Sequence, residues 1–511
     1  MPSRRRKYEY HISSSNSPDS SASIAPTNPD SFYPAVAKVS RRTVIGIGAA
    51  AAVVAVAGGV AAFLATRPPS QPTTGTTPTA TATGEIVLRT NEQSYMVDEN
   101  KIKAFKEQVG IQLEADIRPI DEARAIMLDP ANASRYDIYG IDTSSLLAVK
   151  AAGVTRNYPP SDVPRWVRGP IDPIFTSPET SIGTKVPPPL GPTGEYIAKS
   201  MMYPHMWAAS PDATNKMDDY GQKGKLFFVS PIDWNYDSVL WNPKFINLPY
   251  DPATGISTGS WGVLVDRQYK GRVGFQDIPT ISTNHYILIM LANKLIEPLE
   301  LGPNDLTPTE MKKLVDWLID HKKAGQFRVF WNDFAQIVSL HVQEEIWVSD
   351  GWQPVEMYVR HSGGIGFYLE PNEGYRCWLD GCAPTIATPH YNAVMKYIDW
   401  KYSGWFAQYK AKWLGYYTPN WESDEVKNAM GPEYWGWFYK AEPTFIEVPV
   451  EKHAAFDPIS YEWKMSGSPN PKGYRRDGGD ITRHNERVST WQRWPHDADA
   501  YIREWTRLRA A

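Results

Sequence analysis

Strand, helix, strand, helix is the order written into residues 86–153, and that order restricts the chain to an α/β architecture. Ile86-Val87-Leu88-Arg89-Thr90 is a short apolar run that fits a strand. Residues 98–109 follow with Ile102, Phe105 and Val109 on one helical stripe, and Gly110 ends it. Tyr136-Asp137-Ile138-Tyr139 fits a second strand, and residues 144–152 fit a second helix closed by Gly153. Strands that alternate with helices form a parallel sheet. The segment 156–225 is irregular and Pro-rich, and reads as an inserted excursion. From Leu226-Phe227-Phe228-Val229 the pattern resumes, with helices expected at 284–296, 308–322, 391–411 and 497–510. Two α/β lobes are expected, because one sheet rarely organises more than about 400 residues.

The first 84 residues are of another kind. Residues 1–39 are polar and rich in Ser, Pro and Asn, a composition that cannot bury enough apolar surface to fold. Ser40-Arg41-Arg42-Thr43-Val44-Ile45 then leads into an Ala/Val/Gly/Ile run that ends near Thr66. The pair Arg41-Arg42 resembles a twin-arginine export signal, although Gly46 stands where the fuller pattern has Lys. At ~1.5 Å per residue the run 43–66 is long enough to cross a hydrocarbon core of ~30 Å. Two outcomes fit: a retained transmembrane anchor, or a cleaved signal, whose apolar core is normally shorter. The positive N-terminal flank places that end in the cytoplasm and the large domain outside, at the cell surface or in the periplasm. A Thr/Pro-rich linker, 67–84, has too few apolar residues to build a core.

Charge narrows the function classes. Residues 1–42 carry seven Lys/Arg and three acids, so their +4 leaves −8 for the rest of a chain whose formal net charge is −4. An acidic body argues against nucleic acid, whose phosphates demand basic patches. The 20 Trp and 28 Tyr exceed what packing requires, and aromatics concentrate where a surface must be apolar and hydrogen-bonding at once. The ten His residues show no HExxH or paired-ligand spacing, so neither a metal site nor a cofactor is expected. Gly255-Ile256-Ser257-Thr258-Gly259 matches a hydrolase nucleophile elbow in letters. That elbow needs an apolar strand before it and a helix after it, and Leu248-Pro249-Tyr250-Asp251-Pro252 reads as loop, so no enzyme is expected.

The most specific local signal is Cys377-Trp378-Leu379-Asp380-Gly381-Cys382. Residues two apart in an extended segment share one face, so Trp378 and Asp380 present an indole and a carboxylate side by side. An indole face attracts a cation, and a carboxylate fixes an ammonium group by a charge-assisted hydrogen bond. The pair reads as half of a pocket for an organic cation, or as a buried Trp beside a turn Asp.

Further motifs keep a fixed order: Pro231-Ile232-Asp233-Trp234-Asn235-Tyr236-Asp237, Ser260-Trp261-Gly262, Tyr269-Lys270-Gly271-Arg272-Val273 with Asp277, Gly351-Trp352, Glu370-Pro371, Trp378-Leu379-Asp380, and Leu414-Gly415-Tyr416-Tyr417-Thr418-Pro419-Asn420. In this order they resemble the extracytoplasmic solute-binding proteins of ABC importers, in particular the spermidine/putrescine-binding family. The resemblance implies a monomeric, two-lobed periplasmic-binding-protein fold with a hinged cleft that closes on its ligand. The implied lobes are 85–232 with 381–424, and 233–380 with 425–511. Implied partners are a small polyamine-like cation and the permease subunits; ferric iron, an anion or a sugar are the alternative ligands.

The same resemblance assigns ligand contacts. Trp378 and Asp380 match the family's aromatic and carboxylate contacts, Trp352 its second stacking Trp, Tyr416 the Tyr of its Gly-Tyr-x-Thr-Pro-Asn turn, and Asp277 an acidic ligand. Tyr95 and Trp234 are further candidate aromatic contacts. Three departures stand out: Glu92 occupies an aromatic position, Asp142 and Ser144 replace a Ser and a Tyr, and Ile281 falls where a second acid belongs. A cleft holding Glu92, Asp142, Asp277 and Asp380 would still favour a cation. Export to an oxidising compartment would pair Cys377 with Cys382; two reduced core thiols are the alternative.

Overall fold

The computed structural model describes residues 85–176, 183–187, 190, 206–208, 226–251, 253–443, 456–457, 462–463 and 475–511. Arg41, Arg42, the apolar run 43–66 and the linker lie outside them, as does most of the 156–225 excursion. Among the described residues no helix is long and apolar enough to cross a membrane.

The expected opening alternation is present, with one further strand and one further helix, over 112–117 and 120–128, that the sequence reading does not include. β1 (Val87–Glu92), α1 (Glu99–Val109), β2 (Gln112–Ile117), α2 (Ile120–Leu128), β3 (Ile138–Asp142) and α3 (Thr143–Ala152) follow in order. β1 pairs in parallel with both β2 and β3. Asp98 caps α1 by accepting from the Lys101 N–H at 3.0 Å, and Gly110 closes it at φ 77°, a conformation that costs glycine little.

A second parallel set lies further along the chain. β4 (Ser230–Trp241) is followed by β5 (Val273–Gln276), α4 (Pro279–Ala292), α5 (Pro308–Lys323), β6 (Phe327–Trp331), β7 (Val348–Trp352) and α6 (Gln353–His361). β8 (Tyr375–Pro384), α7 (Tyr391–Trp400), α8 (Gly404–Leu414), β9 (Val488–Trp491) and α9 (Ala498–Ala510) complete the elements used below. The hydrogen-bonded path runs β6-β5-β7-β4-β8-β3-β1-β2. Its outer pairs are parallel, whereas β7–β4, β4–β8 and β8–β3 are antiparallel.

Two hydrophobic cores hang on this path, and β4 feeds both. Ile232, Trp234 and Tyr236 enter the first core, while Val239 and Trp241 enter the second. Alternation explains the switch: even positions are apolar up to 236, odd positions carry Asp233, Asn235 and Asp237, and from Val239 the odd face becomes the apolar one. The chain therefore changes cores between Tyr236 and Val239, a few residues beyond the crossing expected at Ile232-Asp233. Val426, Met430, Trp437 and Phe438, assigned by sequence to the second lobe, pack into the first core.

Two other expectations change. The helix expected over 391–411 is two helices, because Ser403 turns extended and caps α8 through the Phe406 N–H at 3.3 Å. Cys377 and Cys382 are both free and buried. Five steps along one strand at ~3.3 Å each separate them by about 16 Å, and a disulfide needs Cα atoms within about 7 Å.

Candidate ligand-binding site

Strand register, more than any loop, assembles the candidate site. Asp380 of β8 lies directly opposite Asp142 of β3 on one side and Asp233 of β4 on the other. Directly opposed residues in antiparallel strands share a face, with Cβ atoms roughly 4.5–5.5 Å apart. Three carboxylates thus stand in one row across three strands. Further along the same face, Trp378 opposes Asn235, and Arg376 opposes Asp237, which in turn opposes Trp352 of β7.

Each acid in the row meets a different environment. Asp142 caps α3: its carboxylate accepts from the Ser144 N–H at 2.8 Å and from the hydroxyls of Ser144 and Ser145. The helix N-terminus favours that negative charge. Asp233 accepts from the Lys410 ammonium at 2.5 Å, and Lys410 also donates to the Ile232 carbonyl at 2.5 Å. Burial pulls the Lys410 pKa down to about 8, against the opposing pull of Asp233. Asp380 is 1% exposed; one oxygen receives only the Tyr95 hydroxyl at 3.5 Å, and the other has no hydrogen-bond partner. Burial, then the charges of Asp142 and Asp233, push the Asp380 carboxyl well above the ordinary carboxylate range. Gly381 follows because the Ser230 carbonyl leaves no room for a side chain there.

Aromatic edges border Asp380. Trp378 and Tyr416 meet edge-to-face at 4.8 Å between ring centroids, and Tyr416 meets Tyr95 at 6.2 Å. Tyr416 is placed by the turn after α8, where the Gly415 carbonyl accepts from Asn235 at 3.0 Å and Arg476 at 3.1 Å. The Lys101 ammonium donates to the Tyr95 carbonyl at 2.6 Å and holds the loop after β1. Burial, then Asp380, raise the Tyr95 pKa well above its ordinary value, so its hydroxyl remains a donor.

Behind Trp378 lies a second ionisable group. Its indole N–H donates to Asp237 at 2.8 Å, and Asp237 is paired with Arg376 and, at 3.4 Å, with His285. His285 reaches Asp350 at 3.0 Å, and its ring stacks on Trp261 at 4.5 Å. Burial alone would depress the His285 pKa; Asp237 and Asp350 outweigh it and hold it above its ordinary value.

The structure thus brings together five of the expected residues: Tyr95, Asp142, Trp378, Asp380 and Tyr416. Trp352 lies further along the same face, edge-on to Trp331 at 5.4 Å. The other three have structural partners. Glu92 is fully buried, ion-paired with Lys401 and hydrogen-bonded by Tyr397 at 2.8 Å and Thr90 at 2.6 Å. Asp277 accepts from the Trp505 indole at 2.7 Å and from Arg509 at 3.0 Å, which ties down α9. Trp234 is a core residue among Phe175, Tyr236 and Tyr417. Ser257 is buried and accepts from the Trp241 indole at 3.0 Å. Asp233, Asp237, Lys410 and His285 were not singled out from sequence; the alternation of Asp233, Asn235 and Asp237 was the available signal. A surface hollow of about 520 Å³, lined by Asp316, Asp320, Lys323 and Arg507, shares no residue with this group.

No family model matches the sequence, and no curated protein is similar to it. Solved structures do share its fold. A candidate spermidine/putrescine ABC transporter from Listeria monocytogenes superposes with a TM-score of 0.51 at 13% identity, covering 83% of this chain and 97% of that one. The TpPotD lipoprotein of Treponema pallidum gives 0.50 at 12% identity, covering 83% of this chain and 100% of that one. The chain has the mixed α/β periplasmic-binding-protein fold of these two structures, as its ordered motifs imply.

Proposed function

We propose that the chain captures a small organic cation outside the cytoplasm and hands it to the permease of an ABC importer, staying tethered through its N-terminal apolar run. One observation carries this reading: Asp380 is a fully buried carboxylate with an unpartnered oxygen, set between two other acids and beside the rings of Trp378, Tyr416 and Tyr95. Burying a carboxylate without a partner is costly, and a bound ammonium group removes that cost. Each cation–aromatic contact would add about 0.5–2 kcal/mol. The Listeria protein is a candidate spermidine/putrescine transporter, and the sequence motifs of this chain point the same way.

The crossing strands suit a hinge. β4 runs through both cores, with Trp352 paired to its second half and Asp380 to its first, and a ligand touching both would favour closure by its differential affinity. The role is capture without turnover. A thermal-shift screen of the full chain against amines, basic amino acids, sugars and metal ions tests it. A true ligand at a hundredfold excess over its dissociation constant stabilises by about 2.7 kcal/mol. Stabilisation by sugars or anions alone, with every amine inert, would refute the cation reading.

A further inference from the structure

We propose that Arg476 and Asp477, adjacent residues outside the candidate ligand contacts, are positioning residues that clasp the two sides of the site together, hold Tyr416 in place, and so slow the release of a bound ligand. The inference takes its ligand from the cation-capture reading and goes beyond it, since neither residue belongs to the acid row.

The two side chains bind opposite sides. Arg476 holds the first: Nη1 donates to the Tyr417 hydroxyl at 2.5 Å, Nη2 donates to the Gly415 carbonyl at 3.1 Å, and the guanidinium lies 4.1 Å from the centre of the Phe438 ring. Tyr417 and Phe438 belong to the first core. Asp477 holds the second side, where one oxygen accepts from Arg360 Nη2 at 2.8 Å and from the Tyr368 N–H at 3.0 Å. Arg360 lies near the end of α6, and its guanidinium is 5.5 Å from the ring of Phe367, a residue of the second core. Arg476 and Asp477 are both buried, so these bonds form away from water, where charged hydrogen bonds are stronger.

Arg476 also bridges the sides by itself. Its Nη2 donates to Gln353 Oε1 at 2.6 Å, and Asn235 of β4 donates to Gln353 at 3.4 Å and to the Gly415 carbonyl at 3.0 Å. Gln353 directly follows Trp352, and Gly415 directly precedes Tyr416. One guanidinium nitrogen thus ties the neighbour of one candidate aromatic contact to the neighbour of the other. The two sides meet tightly there: a side chain at Gly415, which sits at φ 66°, would collide with Met357 of α6. Moving one core away from the other would break the Gln353 bond and strip either Arg476 or Asp477 of its partners. Asp380, Trp378 and Tyr416 are 1%, 6% and 6% exposed, so a ligand held among them leaves after such an opening. Loss of the clasp therefore acts on dissociation more than on encounter.

Two measurements on the full chain test this. Spin labels at Lys103→Cys of α1 and Lys312→Cys of α5, both exposed positions on opposite cores, report the separation of the sides without ligand; the two native thiols are buried. Stopped-flow fluorescence with 1,4-diaminobutane separates the rates of binding and release. Arg476→Met should lengthen the label distance and speed release at least about tenfold while the binding rate changes little, a split that a general loss of folded protein would not produce. Where that variant fails to fold, Gln353→Met, which keeps the guanidinium on Gly415 and Tyr417, should shift both readouts the same way by less. An unchanged label distance in the folded variants, or a longer distance with an unchanged rate of release, overturns the clasp. If the wild type binds no amine, the cation reading falls, and the label distance still decides the clasp.

Discussion

Two groups of buried ionisable side chains occupy neighbouring stretches of β4 and β8, and their charges are balanced differently. Asp237, Arg376, His285 and Asp350 are all fully buried, and an arginine and a histidine face two carboxylates. Asp142, Asp380 and Asp233 lie a few residues along the same strands and have Lys410 as their one direct cation. Both groups exclude water, so burial does not distinguish them. Charge balance does: in the first group an arginine and a histidine face two carboxylates, and in the second one lysine faces three. The first can act as a rigid seat for Trp378, whose indole it binds, while the second has a reason to take a guest.

The largest test of that contrast is Arg376→Met. It leaves Asp237 buried with only His285, and breaking such a pair typically costs about 3–5 kcal/mol. Chemical denaturation should show this loss with ligand absent. Asp380→Asn should act in the opposite direction. Asn keeps the shape and removes the cost of keeping a carboxyl where burial opposes its ionisation, so the ligand-free protein should gain about 1–3 kcal/mol at pH 8, where the unfolded Asp is ionised. Cation binding should weaken by about 1.5–3 kcal/mol, roughly ten- to hundredfold, as expected for a lost hydrogen bond to a charged group. If both variants destabilise alike, the two groups are not different in kind.

Much of the frame was legible in the sequence, and the charge partners were not. The helix expected over 98–109 runs Glu99–Val109, and the one over 308–322 runs Pro308–Lys323 behind a Thr307–Glu310 capping box. Those signals are local. That Trp378 and Asp380 share a face also followed from strand alternation alone. By contrast, Glu92 looked like a free acid because Lys401 is 309 residues away, and Asp277 because Arg509 is 232 away. Such pairs are made by packing between distant elements, and no local pattern announces them. Asp233 was written in an alternating polar stretch, but its importance lies in a register with Asp380 that only the sheet reveals.

Proton linkage sharpens the contrast at a smaller scale. The folded-state pKa of Asp380 is raised, so the folded protein holds a proton that the unfolded chain releases from about pH 4 upward. Stability of the ligand-free protein should therefore fall as pH rises through that window, by at most about 1.4 kcal/mol per pH unit for one group. His285 is also raised, and its contribution is complete below about pH 6.5 and lost as pH rises through its folded value. A saturating cation should abolish the Asp380 fall, since it favours the ionised form, and leave the His285 fall in place. Unfolding curves from pH 4 to 9, with and without amine, separate the two. A fall from pH 4 upward that persists unchanged in saturating amine would count against Asp380 as the contact.

The smallest expected effect concerns the two thiols that bracket Trp378 and Asp380. Both are buried, and burial raises the pKa of each, so neither offers a reactive thiolate. The strand between them is held by ladder hydrogen bonds to β3, β4 and β9, not by a covalent loop. A thiol reagent should thus find no reactive cysteine in the native protein and two after denaturation. Reductant should shift the melting temperature by less than about 1 °C, far below the several degrees that losing a disulfide worth 2–5 kcal/mol would cause. A large shift on reduction would mean that a covalent bridge, and not register with Asp142 and Asp233, fixes Asp380.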